Sequence, residues 1–343
     1  MVGRLSESFK NTPTTVGRLS ESSSLQKNDS ESRPTLLDPN QVDSNSRPTI
    51  GLHVLVRSQE QLEAAIEMAP TSITLDYLEL YGLRPSVEKI KANDLIPRVA
   101  SPRILKPSEQ KIVRFLLSLE CPIVVRSAGL LHGLRQAGVA LPQLIGDFGL
   151  NIANQITAAK LLNSGVDTIT PTYDLNSQQI EELSRTVDST KFEVIAYSHL
   201  PVFHTEHCVF CRFLSDGTDN TNCGHPCEKH KIAVRDAAGR AHPVMADVGC
   251  RNTVFGAEAQ TDVEAMARWI EAGICNFRLE FVHETPSQVA DITSAFQVTL
   301  KNGLQSPEAV NQLKQQLQSL APQDITQGSL FVPKDFKNLV QLS

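Results

Sequence analysis

Cysteine and histidine crowd into one stretch of this 343-residue chain. Between His199 and Gln260 lie five of its seven cysteines (Cys208, Cys211, Cys223, Cys227 and Cys250) and six of its nine histidines. Thiols bunched with imidazoles at C-x2-C and C-x3-C spacing are the usual sign of a metal or cluster site, because neighbouring thiolates can reach one centre. Cys208–Cys211 and Cys223–Cys227 have that spacing. Cys250 arrives from the far side of an expected hairpin, Lys231–Asp236 against Pro243–Asp247, turning at Ala238–Gly239. Four thiolates suit zinc or an iron–sulfur cluster, and spacing alone leaves the two equal. Five thiols for four places leave one spare. Pro226 and the apolar neighbours Val209, Phe210, Phe213 and Leu214 supply a dry shell that would serve either centre, and the histidines read mostly as supporting or surface residues. A cysteine nucleophile based on His204 or His207 is a third reading, but five clustered thiols are more than it needs.

The bulk numbers narrow the setting. A net charge of −6, without a long Lys/Arg run, gives no global polycation, so a nucleic-acid partner would need a local basic patch. No apolar run reaches the ~20 residues that span a bilayer, and no secretory signal opens the chain. An odd cysteine count with five clustered argues for a reducing compartment, hence a cytoplasmic location. Residues 1–48 are rich in Ser, Thr, Asn and Arg and repeat VGRLSES at Val2–Ser8 and Val16–Ser22, which predicts a disordered leader. Organellar targeting by that leader is an alternative weakened by Glu7, Glu21 and Glu31.

The elements that must position the thiols begin at Pro48. Short apolar runs alternate with amphipathic stretches: strands at Gly51–Arg57, Ile73–Leu80, Leu95–Ala100, Pro122–Arg126, Leu144–Phe148, Val166–Thr170, Phe192–Tyr197 and Ile274–Phe281. Helices lie between them, the first capped by Ser58. Eight strands alternating with helices over about 250 residues predict an α/β fold, a (β/α)8 TIM-like barrel over residues 49–303. The Cys-rich insertion, residues 199–260, follows the seventh strand; residues 304–343 form a C-terminal helix and tail. A doubly wound open sheet is the alternative, but no Gly-rich phosphate turn follows an early strand. In a barrel, residues at strand C-termini face the functional mouth. These are Arg57, Glu79, Arg98, Arg126, Asp147, Asn151, Asn154, Tyr173, Asn176, His199, Arg278, Glu280 and Glu284. Several are expected to be barrel ion pairs or helix caps. DFGLNIAN is the most suggestive segment, with one carboxylate and two amides just beyond a strand.

The runs LPVFHTEHC, CGHPCE and RDAAGRAHPVMADVGCRNTVF resemble the signature region of the collagenase-like peptidase family (U32-type), most closely the C-terminal part of its long members. The resemblance extends to DFGLNIANQ, TYDLNSQQIEEL, FEVIAYSHLPVF and GICNFRLEFVHET, so it covers roughly Gly51 to Gly303. It implies a [4Fe-4S] cluster on Cys208, Cys223, Cys227 and Cys250, with Cys211 the spare or alternative ligand. It also implies a part in hydroxylating transfer-RNA or ribosomal-RNA pyrimidines, or aromatic ubiquinone precursors. The expected partners are therefore structured RNA or a small aromatic substrate, with Asn151, Asn154, Arg278 and Glu280 as candidates to orient it. The chain lacks the extra domains and duplicated barrel of the long members, so a partner subunit could supply them. The alternatives are a peptidase, as the family name says, though no Ser/His/Asp order or H-E-x-x-H motif supports it, and a non-catalytic cluster or zinc module acting with a partner.

Overall fold

The computed structural model describes residues 49–333, apart from Glu79 and Gln305. The predicted leader, the candidate Glu79 and the end of the tail lie outside the described residues.

Strands and helices alternate through most of the chain. The strands are β1 (Gly51–Val56), β2 (Ser72–Leu75), β3 (Ile96–Ala100), β4 (Ile123–Val125), β5 (Leu144–Gly146), β6 (Thr168–Ile169), β7 (Glu193–Thr205), β8 (Ile232–Arg235), β9 (Ala241–Asp247), β10 (Arg251–Gln260), β11 (Asn276–Glu280) and β12 (Ile325–Thr326). The helices are α1 (Gln59–Glu67), α2 (Leu83–Ala92), α3 (Gln110–Leu117), α4 (Ala128–Arg135), α5 (Gln155–Leu162), α6 (Ser177–Ser184), α7 (Val209–Leu214), α8 (Val263–Glu271), α9 (Pro286–Asn302) and α10 (Pro307–Leu320). Among the described residues, no helix is long and apolar enough to cross a membrane.

The strands form one mixed, curled sheet in the order β6-β5-β4-β3-β2-β1-β11-β7-β10-β9-β8, with β12 beside β10. Pairing is parallel from β6 to β7 and antiparallel from β7 to β8. An isolated parallel bridge between Ile169 and Phe192 joins β6 to the residue before β7.

Alternation along each parallel strand sets up two faces. Leu52, Val54 and Val56 of β1, Ile73 and Leu75 of β2, Val99 of β3 and Ile123 and Val125 of β4 belong to the main core, packed against the helices. The intervening residues face the other way. A small apolar layer of Ala100, Val124 and Ile145 lies there, with the buried polar residues His53, Ser72, Arg98, Glu193 and Arg278 on neighbouring positions. The helices start where short polar side chains can accept their orphan N–H groups: Ser58 accepts from Gln61 N, and Asp262 from Ala265 N.

Two expectations change. The second strand stops at Leu75 rather than Leu80, because the Asp76 carboxylate is taken up by the Arg57 and Arg126 guanidiniums. Tertiary ion pairing there overrides the strand propensity of Tyr77 and Leu78. The seventh strand does not end at Tyr197. It runs on to Thr205 and is met by β10, so the thiol-bearing stretch grows out of the sheet as an antiparallel lobe.

Candidate functional site: a thiol-lined cavity beside a polar slot

Three turns of the lobe carry the clustered cysteines. Cys208 caps α7, its sulfur accepting from Cys211 N at 3.5 Å. Buried Asn252 fixes this helix start: its Oδ1 accepts from Val209 N at 2.7 Å, and its Nδ2 lies 3.9 Å from the Cys208 sulfur. Cys223 and Cys227 flank a sharp turn in which Gly224 and His225 both take positive φ. His225 braces that turn, with Nδ1 2.9 Å from Glu228 Oε1 and Nε2 2.9 Å from Asn220 O. Gly217 packs so closely that a Cβ would meet Cys223 Cα at 2.6 Å; only glycine lets the loop close there.

Cys250 lies in the β9–β10 turn with φ +62, a conformation uncommon for a residue with a Cβ. The turn is held by Arg251, a fully buried guanidinium. Its Nε donates to Glu206 at 2.9 Å, Nη2 to Glu109 at 3.1 Å, and Nη1 to Val248 O and Ile104 O. One side chain thereby ties the Cys250 turn to the tip of β7 and to the segment before α3.

All five cysteines line one cavity of about 840 Å³. They do not play the same part. Cys211 is buried, its thiol donating to Gly217 O at 3.4 Å while Ser215 Oγ lies 3.7 Å from its sulfur. Burial pushes the Cys227 thiol up to about 11, and the neighbouring Cys208 and Cys223 add to the effect. A positive centre in the cavity would reverse this, since a bound metal favours thiolate. Among the described residues, no three Cys, His, Asp or Glu side chains converge tightly enough for a single ion.

A second, narrower slot abuts this cavity and shares Leu78, Ala246 and Asp247 with it. It is lined by Arg57, Asp76, Tyr77, Arg103, Arg126, Phe148, Phe255 and Glu280, among others, and has room for about 40 Å³. Most of these residues sit just beyond strand ends, as the mouth argument predicts. Arg57 lies over Phe255 at 5.0 Å and Arg103 over Phe148 at 5.2 Å, arrangements in which the cation meets the negative ring face. Burial alone would raise the Asp76 pKa, but Arg126 and Arg57 outweigh it and hold the carboxyl at about 2. Asp247 goes the other way: burial, with repulsion from Asp76, lifts it to about 6. His204 stands nearby, 2.9 Å from Thr253 Oγ1, and burial with the Arg103 charge lowers it to about 4.

Beneath the slot lies a closed ion network. Arg278 reaches Asp147, Glu193 (2.7 Å) and Glu280 (2.8 Å); Arg98 reaches Glu193; Arg126 reaches Asp147 (3.0 Å) and Asp76 (2.7 Å). Arg57 reaches Asp76 at 2.9 Å. Four guanidiniums thus meet four carboxylates. His53, lowered to about 4 by burial, stays neutral beside Glu193. His199 is a separate buried pair with Glu284 at 3.0 Å; burial opposes its protonation, but Glu284 and Gly256 O outweigh that and raise its pKa.

The sequence candidates therefore divide. Arg57, Arg126 and Glu280 line the slot. Arg98, Asp147 and Arg278 belong to the network, and Arg278, expected to orient substrate, is fully buried by three carboxylates. Tyr173 packs on Phe148 with its hydroxyl 3.4 Å from Glu280 Oε2. Asn154 and Asn176 are helix N-caps, and Asn151 is the left-handed residue closing a 3-10 turn; none of the three lines the cavity or the slot. The amide oxygens of Asn154 and Asn176 are engaged in capping their own helices. Asp76, Tyr77, Arg103 and Asp247 were not singled out by sequence. Asp76 and Tyr77 were hidden inside an overlong strand, although a strand ending at Leu75 would have placed both at the mouth.

The fold and site define an α/β protein whose strand ends carry a polar slot and a thiol-lined lobe. The sequence pattern of peptidase family U32 matches residues 120–339, more than half of the chain, and the chain belongs to that family. Among solved structures, the U32 peptidase Mk0906 is 16% identical, matching 46% of this chain and 73% of its own at a TM-score of 0.37. The YdjI aldolase of Escherichia coli K12 is 10% identical over 80% of this chain and 92% of its own, with a TM-score of 0.37. A 2,3-dimethylmalate lyase of the PEP mutase/isocitrate lyase superfamily is 9% identical over 78% and 90%, also at 0.37. No curated protein matches the sequence.

Proposed function

We propose that this chain is an iron–sulfur protein that supports hydroxylation of an RNA pyrimidine or of a small aromatic precursor. Cys208, Cys223, Cys227 and Cys250 would hold a [4Fe-4S] cluster, with Cys211 the spare thiol. One observation carries the reading: thiols from three separate turns line a single cavity that shares a wall with a polar slot. The thiol of Cys211 is already engaged with Gly217, which favures the other four as ligands. The eight parallel strands are read as a closed (β/α)8 barrel. The Ile169–Phe192 bridge supports this by linking β6 to β7, which pairs through β11 to β1.

The cluster's contribution would be electron transfer at the cavity wall. The chain's own groups supply the rest. Asn252 and Arg251 fix the turns that bear Cys208 and Cys250. Asp247, on the shared wall with its pKa near neutrality, is placed to hold or release a proton. Phe148 and Phe255 form apolar parts of the slot wall.

Mass spectrometry of nucleosides and aromatic metabolites from cells with and without the gene tests the reading. A pyrimidine or aromatic product heavier by one oxygen should disappear when the gene is removed and return with the wild-type copy. Complementation by a Cys223→Ser copy would count against the reading. Gelatin cleavage by iron-free protein would favour the peptidase reading instead.

A further inference from the structure

Where the thiol-bearing lobe leaves the sheet, the β7–β10 ladder breaks. Pro201, which has no N–H to donate, lies opposite Phe255, and the next paired residues are His199 and Ala259, so Gly256, Ala257 and Glu258 face Leu200 alone. Buried His199 spans this bulge: its Nδ1 lies 2.8 Å from Gly256 O and its Nε2 3.0 Å from Glu284 Oε1. A carbonyl oxygen can only accept, so Nδ1 carries a proton. Glu284 Oε1 also accepts from the Tyr197 hydroxyl at 3.0 Å, and Oε2 from Val282 N at 2.6 Å. A carboxylate serving a phenol and a backbone N–H is an acceptor on both oxygens, so Nε2 carries a proton as well. With both ring nitrogens donating, His199 is an imidazolium.

The groups packed around the ring set its charge. Burial opposes protonation, but Glu284 and Gly256 O outweigh it, and outweigh the charge of Arg57 beyond β1, so the ring is held above its ordinary 6.5. On the loop after β11, burial lowers His283 to about 4, with Lys231 at the start of β8 adding to the effect, and it stays neutral. On β7, burial and Glu284 push the Tyr197 phenol above its ordinary range, so it keeps its proton. The loop itself is fixed to the sheet: Gln61 of α1 donates to the Val282 and Glu284 carbonyls, and Arg57 to Phe281 O. On the lobe side, the residue before Gly256 is Phe255, which lines the slot with Arg57 over its ring.

We propose that His199 is a proton-dependent latch: its imidazolium ties the bulged root of the lobe to the loop of residues 281–285, and its deprotonation loosens the lobe. A neutral ring has one proton for two acceptors, so either Gly256 O or Glu284 loses its bond and faces a lone pair. Because the folded pKa lies above the ordinary 6.5, the latch is fully closed below that value and is lost as pH rises through the folded one. The inference concerns how the lobe is held and does not depend on the cluster reading.

Ring-nitrogen NMR of the full chain labelled at histidine, run beside amide hydrogen exchange across a pH series, tests this. Below pH 6.5 both His199 nitrogens should read as protonated. As the ring titrates at higher pH, protection in residues 198–205 of β7 and 251–260 of β10, corrected for intrinsic exchange, should fall by about 10-fold, while that of β1 to β4 holds. Glu284→Gln should lower the pH at which the ring loses its proton and carry the loss of lobe protection with it. His199→Gln, which also assigns the ring signal, should loosen the lobe at every pH and abolish the step. If either variant fails to fold, the wild-type titration decides. A ring with one protonated nitrogen below pH 6.5 overturns the latch, as does a ring that keeps both protons until the protein unfolds. Lobe exchange that stays level through the ring titration overturns it too. So does an equal rise in exchange across β1 to β4, which would make the pair an ordinary stabilising contact.

Discussion

Beneath the strand ends, Arg57, Arg98, Arg126 and Arg278 face Asp147, Glu193, Glu280 and Asp76 with every charge answered. In the adjoining slot and lobe, Arg103 Nη1 lacks a partner, Cys250 takes a left-handed backbone, and five thiols line one cavity. Both regions are rich in the residue types that chemistry uses. Only the second leaves them with something still to bind. A charged residue at a strand end is thus a weak sign of function until its partners are counted, because a balanced buried network serves the fold alone.

Breaking the network should have the largest effect. Arg278→Leu takes one buried partner from each of Asp147, Glu193 and Glu280 and leaves the interior with an excess negative charge; it should destabilise the protein by about 3–5 kcal/mol, read as a lower midpoint in urea unfolding. A loss under 1 kcal/mol would mean the network is not closed as described.

The shared wall gives a smaller effect with a defined pH dependence. The folded pKa of Asp247 is raised, to about 6, above its ordinary 3.8. The folded state therefore binds the extra proton in that window, and stability falls as pH rises through it. Asp247→Asn removes the penalty, so it should stabilise by about 1–2 kcal/mol above the window and have little effect below it. Thermal melts across the window that show a constant difference would contradict this. Asp76 works in the opposite sense: its lowered pKa gives stability that is present above the ordinary value and lost as pH falls toward 2.

The smallest effect separates a cap from a site residue. Asn154→Ala should cost about 1 kcal/mol by removing the acceptor for Thr157 N. The iron content of the purified protein should be untouched; a loss of iron would return Asn154 to the site.

How much of this the sequence disclosed follows the range of the forces involved. Periodicity located the strands from β1 to β6 and most helix starts, because alternation and caps are local. The five thiols declared themselves by spacing. Spacing left open which thiol is spare; the family resemblance pointed to Cys211, whose contact with Gly217 depends on how the loop closes. The end of β2 at Leu75 and the extension of β7 to Thr205 were both missed. Each is fixed by distant partners, Arg57 and Arg126 in one case and β10 in the other. Asn154 shows the converse: an amide just beyond a strand looks available, yet the next helix uses its oxygen as a cap.

The most direct measurement is the iron and acid-labile sulfide content of the protein purified without oxygen, read with its visible spectrum. The account predicts a brown protein with about four irons and four sulfides per chain, bleached by Cys223→Ser or Cys250→Ser and retained in Cys211→Ser. A colourless protein holding one zinc, or colour that survives in the Cys223 and Cys250 variants, would contradict it.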